Sequence, residues 1–240
     1  MSRKIFQNGD SDILPDARGH GKSGSGKGDY STRQRVADLT GLIEALKLDR
    51  PIVGGHSMGA ETSMYLAAEY PEFTRAVFLE DPPIILPGEQ FGSGDQVMDP
   101  KELGKMMAKY MRMFKLMPRF VGLNMARKGM ATYPDDEIQP WLDSKKRLSF
   151  NFLGSMATIP MDLSAPFDVI RKIQAPILLI IGDKEKMSIV SQEAAQKAAD
   201  INDKLQVVHL EGASHDIRRT RFDGYMPSLQ NFLAKVYQNQ

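Results

Sequence analysis

The chain has 240 residues, a hydrophobic share of 42%, a charged share of 25% and a formal net charge of +1. This is the composition of a globular protein, and one domain with an insertion suits the length better than two equal domains. The near-zero charge removes any electrostatic case for nucleic acid or an anionic membrane, no run approaches the ~18 apolar residues of a membrane span, and the absence of cysteine removes disulfide and thiolate chemistry. The opening MSRKIFQNGD lacks the apolar centre of a signal peptide, so a cytoplasmic protein is expected.

Ile13-Leu14-Pro15 reads as the end of a short strand, followed by Asp16-Ala17-Arg18-Gly19-His20-Gly21-Lys22-Ser23. Ser31 and Thr32 are placed to cap a helix over 33–46, whose apolar positions Val36, Leu39, Leu42, Ile43 and Leu46 recur at helical spacing. Ile52-Val53 is a short apolar run. It tightens into Gly54-Gly55-His56-Ser57-Met58-Gly59 and continues as a helix-forming run over 60–69. A strand, a sharp turn carrying G-x-S-x-G and a helix make the pattern of a nucleophile elbow. Gly55 and Gly59 are expected to remove side chains that would collide at the turn. Ser57 is left at a helix N-terminus, where free N–H groups favour developing negative charge. The backbone N–H of Met58 is the expected oxyanion donor.

The run over 75–79 reads as a buried strand ending at Glu80-Asp81-Pro82-Pro83. From 84 onward the texture becomes helical and methionine-rich, interrupted by Pro118, Pro134, Pro140, Pro160 and Pro166. So long a helical stretch between two strands predicts an inserted cap over 84–166, with the core formed by 1–83 and 167–240. Met106, Met107, Met111, Phe114 and Met117 are candidates to line an apolar substrate pocket, since thioethers adapt to irregular shapes. Pro176-Ile177-Leu178-Leu179-Ile180-Ile181 is the strongest strand signal and runs into Gly182-Asp183-Lys184-Glu185. A helix is expected over 191–199 and a last strand over 205–210, which runs into Glu211-Gly212-Ala213-Ser214-His215-Asp216. An amphipathic helix over 222–237 closes the chain. Strands alternating with helices predict an α/β fold, a mostly parallel doubly wound sheet with its sites at the C-terminal strand ends.

The segments DARGHGKS, GHSMGA, LEDPP, PILLIIGD and GASHDIRR, in this order, resemble those of the α/β-hydrolase superfamily. The resemblance covers most of the chain and implies the order nucleophile, acid, histidine, a helical cap and no cofactor. Ser57 is then the nucleophile and His215 the base, because a serine hydroxyl needs a base within hydrogen-bond reach. A carboxylate must hold the imidazole's tautomer. Most of the superfamily carries that acid after the penultimate strand, which points to Asp183. Some relatives carry it after the strand that follows the elbow helix, which makes Asp81 the alternative. Glu185 and Glu80 are further candidates. His20 and His56 read as structural residues bonded to loop backbone, His209 as a sheet or core residue, and no metal-ligand spacing is present. The expected reaction is cleavage of a small or medium apolar ester-like substrate through an acyl-enzyme. The alternative is a weak or inactive hydrolase-fold protein that binds an apolar ligand or partner.

Only about a dozen residues precede Ile13, too few for the strands this superfamily places there. Two outcomes are expected for the vacancy. Either Ile13-Leu14 pairs directly with Ile52-Val53, or the open edge recruits a second copy as a homodimer.

Overall fold

The computed structural model describes residues 12–26, 28–89, 99–156, 158 and 165–238. The runs rich in Val, Ile and Leu form β1 (Ile52–His56), β2 (Ala76–Glu80), β3 (Ile177–Ile181) and β4 (Leu205–His209). The helices are α1 (Thr32–Ala45), α2 (Met58–Glu69), α3 (Pro100–Leu116), α4 (Arg119–Gly129), α5 (Asp135–Lys146), α6 (Phe150–Met156), α7 (Pro166–Lys172), α8 (Gln192–Ile201), α9 (Ile217–Thr220) and α10 (Phe222–Gln238).

The strands form one sheet in the order β1-β2-β3-β4, and all neighbours are parallel. Such a sheet is covered on both faces, which is why β3 has no polar residue. All five of its side chains are buried. Ile177, Leu179 and Ile181 join Val36 and Ile43 of α1, Met64 and Leu66 of α2, Ile170 of α7 and Ala194 of α8 in one core. Leu178 and Ile180 point the other way, into a second core with Tyr225, Leu229, Phe232 and Leu233 of α10. Burying an aliphatic side chain of this size is worth roughly 1.5–3 kcal/mol, so β3 is the anchor of the sheet.

Among the described residues, four helices lie between β2 and α7 and pack on one another, α3 against α5 and α6, and α4 against α5. Asp99 caps α3 by accepting N–H bonds from Lys101 at 2.9 Å and Glu102 at 3.3 Å. Pro118, Pro134 and Pro166 punctuate helices as expected, since proline lacks the N–H that an interior position donates. Pro140 does not: it sits inside α5. Pro160 lies outside the described residues. Phe114, Ala126, Ile138, Trp141 and Leu142 form a separate core within these helices. Phe114 and Trp141 meet edge to face with ring centres 4.9 Å apart. A second cluster, Tyr30, Leu148, Phe152 and Leu153 with Met58, Met111 and Met156 against it, ties the helices to the elbow.

The segment around Ile13 differs from expectation. Residues 12–17 form no strand, Leu14 is 88% exposed, and neither residue pairs with β1. Ile13 and Leu14 have no covering apolar layer, and two exposed side chains do not offset the entropy of ordering a strand. Among the described residues, β1 pairs only with β2 and forms the edge of the sheet.

Candidate active site

The register of the sheet assembles the site. His56 lies opposite Glu80, so the residues that follow, Ser57 and Asp81, leave the C-terminal ends of adjacent strands together. The Ser57 N–H donates to the Glu80 carbonyl at 2.9 Å, and the Asp81 N–H to the Ile180 carbonyl at 3.0 Å. Ser57 has φ 52° and ψ −114°, a conformation that non-glycine residues rarely adopt and that persists where the surroundings enforce it. The enforcement is visible at Gly55. A Cβ there would lie 2.7 Å from the Gly59 carbonyl carbon and 3.0 Å from its Cα. Gly59 is not constrained in the same way: a Cβ added to it would meet nothing within 4 Å. The elbow's close approach is therefore onto Gly59, and the glycine it requires is Gly55. Met58 opens α2, where its N–H has no intrahelical acceptor.

His215 comes from the loop after β4. Its Nδ1–H donates to Asp81 Oδ2 at 2.7 Å. Asp81 is completely buried. It also accepts the Ser188 hydroxyl at 2.8 Å and the Ile189 and Val190 N–H groups at 2.8 and 3.0 Å. A buried carboxylate is retained only when its lone pairs are filled, and four donors fill these. Burial works against a charge on His215, but the Asp81 carboxylate, helped by Asp216 and Glu80, outweighs it and holds the imidazole above its ordinary 6.5. His56 packs its ring 4.4 Å from that of His215. Its Nε2–H donates to the His215 carbonyl at 2.9 Å. Burial, and then the His215 charge, push His56 down to about 4, so it serves as a neutral donor.

Asp183 is not beside His215. It accepts from His209 Nε2 at 2.8 Å and from the Gly212 N–H at 2.7 Å, and so orders the loop that precedes His215. The physical reason lies in the turns. Asp81 takes φ 44°, which turns its side chain under the histidine loop, whereas Asp183 stays extended at φ −88° and faces β4. Glu80 is also buried and accepts the Arg218 N–H at 2.8 Å. Of the proposed pocket residues, Met111 packs on the cluster that includes Met58. Phe114 and Met117 belong to the core of the helical insertion, Met106 is 46% exposed, and Met107 is partly buried.

Residues that sequence reasoning passed over complete the site's edge. Tyr133 donates its hydroxyl to Asp216, the neighbour of His215. Arg219 bridges Asp216 at 2.5 Å and Glu137 of α5 at 3.1 Å. This network ties α5 to the histidine loop. Its members lie far apart in the chain, and only the run Asp216 to Arg219 beside His215 hinted at it. A cleft of about 650 Å³ opens at the opposite ends of the strands, between Asp49, Arg50, Arg75 and Lys204, and is lined by neither Ser57, Asp81 nor His215.

A strained serine at a strand-to-helix turn, with a buried aspartate at the next strand end that holds a histidine, belongs to one architecture. Residues 5–223 match the model of the alpha/beta hydrolase family, and the chain belongs to that family and is an α/β-hydrolase enzyme. It is 24% identical over 229 residues to the 2-(acetamidomethylene)succinate hydrolase of Mesorhizobium japonicum, covering 92% of this chain and 77% of that protein. The crystal structure of E-2-(acetamidomethylene)succinate hydrolase matches with a TM-score of 0.68 at 22% identity, over 91% of this chain and 80% of the other. That of N-formylmaleamic acid deformylase from Pseudomonas putida S16 matches with a TM-score of 0.68 at 18% identity, over 89% and 79%. No helix among the described residues is long and apolar enough to cross a membrane.

Proposed function

We propose that the protein is a serine hydrolase of small acyl esters or amides, with Ser57 as nucleophile, His215 as general base and acid, and Asp81 as the residue that orients His215. The observation that carries this reading is the 2.7 Å bond from His215 Nδ1 to a fully buried Asp81 at the strand end beside Ser57. It fixes the tautomer that leaves Nε2 free to accept a proton. Ser57 Oγ attacks the acyl carbon while its proton passes to His215 Nε2. The bond to the leaving alkoxide or amine breaks, and that group takes the proton from His215. Water then attacks the acyl-enzyme, gives its proton to His215, and releases the acid and Ser57. The N–H of Met58 donates to the oxyanion formed in each half-reaction. In this reading α3 to α6 cap the site, with Met111 packed on the cluster that also includes Met58. The relatives support an acyl substrate: the names of the two solved proteins give an acetamido compound and an N-formyl amic acid, each with an acyl-nitrogen bond.

The test is labelling by a fluorophosphonate, which reacts with an activated serine. The wild-type protein is expected to be labelled once, and Ser57→Ala and His215→Ala to resist labelling while melting cooperatively. No labelling of folded wild-type protein would turn the reading towards a ligand-binding protein on the same fold.

A further inference from the structure

Net charge averages over the whole chain and conceals how the charge is distributed. Residues 101–120, which form most of α3 and the start of α4, hold six basic side chains and one acidic one, whereas the formal charge of all 240 residues is only +1. The two carboxylates at the start of α3 are engaged. Asp99 caps the helix, and Glu102 pairs with Lys105 at 2.7 Å. Arg119 is held by Asp143 of α5, with its second bond at 3.2 Å. Lys101, Lys109 and Arg112 are exposed. Arg112 and Lys115 lie over the ring of Phe150, 5.7 and 4.8 Å from its centre, which keeps both charges at this surface.

The same stretch carries apolar side chains that the fold does not cover. The inner face of α3 is spoken for: Ala108 is buried, Phe114 meets Trp141 of α5, and Met111 packs on the cluster beside Met58. Met106, Tyr110 and Met113 recur at intervals of four and three residues, so they share a different face. Lys105, Lys109 and Arg112 recur at the same intervals one position earlier, and so form an adjoining row. Leu116 and Phe120, on either side of the turn into α4, are exposed as well. These five apolar side chains are between 40% and 70% exposed. A single exposed apolar residue is ordinary, but a row of them beside a row of cations marks an interaction surface.

The occupant has to match both features. The basic row calls for an anionic partner, and the methionine, tyrosine, leucine and phenylalanine side chains call for an apolar layer just beneath its charges. A nucleic acid meets the first demand but leaves the methionines and the leucine in water. An anionic lipid surface meets both, with headgroups for the cations and the acyl boundary for the apolar row. We propose that α3 and the start of α4 form a docking surface for an anionic lipid membrane. Met106, Tyr110, Met113, Leu116 and Phe120 enter the boundary between headgroups and acyl chains, and the basic residues lie on the headgroups. The contact is peripheral, with α3 along the surface. This goes beyond the hydrolase reading and does not rest on it, and its test measures binding alone, so either can fail without the other.

The experiment sediments the full chain with two kinds of vesicle, one of phosphatidylcholine alone and one in which a third of the lipid is phosphatidylglycerol. The partition coefficient is expected to be at least tenfold higher on the anionic vesicles and to fall as salt is added. Two double variants, Lys109→Glu with Arg112→Glu and Leu116→Ser with Phe120→Ser, should each lower it at least tenfold. All four positions are exposed, so both variants should melt as wild type does. Equal partition onto the two vesicles, or a Leu116→Ser and Phe120→Ser variant that partitions as wild type does, overturns the proposal. A short DNA duplex is the second probe. Binding to it as tight as to the anionic vesicles, and unchanged by the two serine substitutions, would assign the basic row to nucleic acid instead. Sedimentation velocity without lipid is the third measurement, and a dimer that Phe120→Ser dissociates would assign the face to a second copy of the chain.

Discussion

Replacing Glu80 by glutamine should stabilise the protein at neutral pH and above, because the fold keeps a carboxyl group where a charge is costly. Glu80 is 4% exposed. Burial is the largest influence on it. The Arg218 N–H and charge pull the other way, Asp216 adds repulsion, and the outcome is a carboxyl raised from 4.5 to about 7. The sign follows from proton counting. Below pH 4.5 the group is protonated in both folded and unfolded chains and has no effect on the difference. Between 4.5 and 7 the unfolded chain releases the proton and the folded one holds it, so stability falls as pH rises. Above 7 the loss levels off. At about 1.4 kcal/mol per pH unit the whole interval amounts to roughly 3 kcal/mol. Glutamine cannot ionise, and its side-chain carbonyl can still accept the Arg218 N–H. Urea unfolding of Glu80→Gln and wild type at pH 5, 6, 7 and 8 should give a stability difference of about 1 kcal/mol at the acid end that grows to roughly 3 kcal/mol in favour of the variant by pH 8. The difference between the two proteins cancels the titration of His56, which both share, but not that of His215, which the Glu80 charge helps to raise. A difference that stays flat across this range, or a wild type more stable at pH 8, would refute the reasoning by showing that the Glu80 carboxylate is solvated.

Two further outcomes test the geometry of the site. Asp81→Asn should lower kcat by about 10³–10⁴, the scale of removing the residue that sets the histidine's tautomer, whereas Asp183→Asn should cost no more than about tenfold because it only loosens the Gly212 loop. Ester turnover by variants with matched thermal melts decides this, and the reverse ranking would move the role to Asp183. Gly55→Ala should distort the elbow and abolish labelling of Ser57, while Gly59→Ala should remain folded and labelled, since only the first Cβ would meet backbone, at 2.7 Å. Equal loss in both variants would show that the turn is tight on both sides.

The four strands of the sheet and the turn at Ser57 were legible in the residues themselves, whereas the strand expected at Ile13-Leu14 was not there. Five consecutive aliphatic residues at 177–181 permit little but a strand buried on both faces, and that strand orders the sheet. Gly-x-Ser-x-Gly between an apolar run and a helix former is a local pattern, and the structure folds it as one, with Ser57 at positive φ between β1 and α2. Ser31 capping α1 and Asp99 capping α3 are equally local, since a cap bonds within three residues. The helix over 191–199 and the last strand were placed to within about two residues of where they lie.

What the residues left open was every pairing between segments far apart in the chain. Asp81 and Asp183 both follow strands and both look suitable. The choice between them depends on which turn bends under a loop some 130 residues later, and the three donors that hold Asp81 at Ser188, Ile189 and Val190 belong to yet another segment. The methionines of α3 could not be divided from sequence into wall and core, because helical spacing is the same for both. Only packing sends Phe114 to Trp141 and Met111 to the cluster beside Met58. Local pattern is a property of the chain because its hydrogen bonds close within a few residues. The partner of a charge is a property of the fold, because burial and distance, which set its energy, exist only once the segments have met.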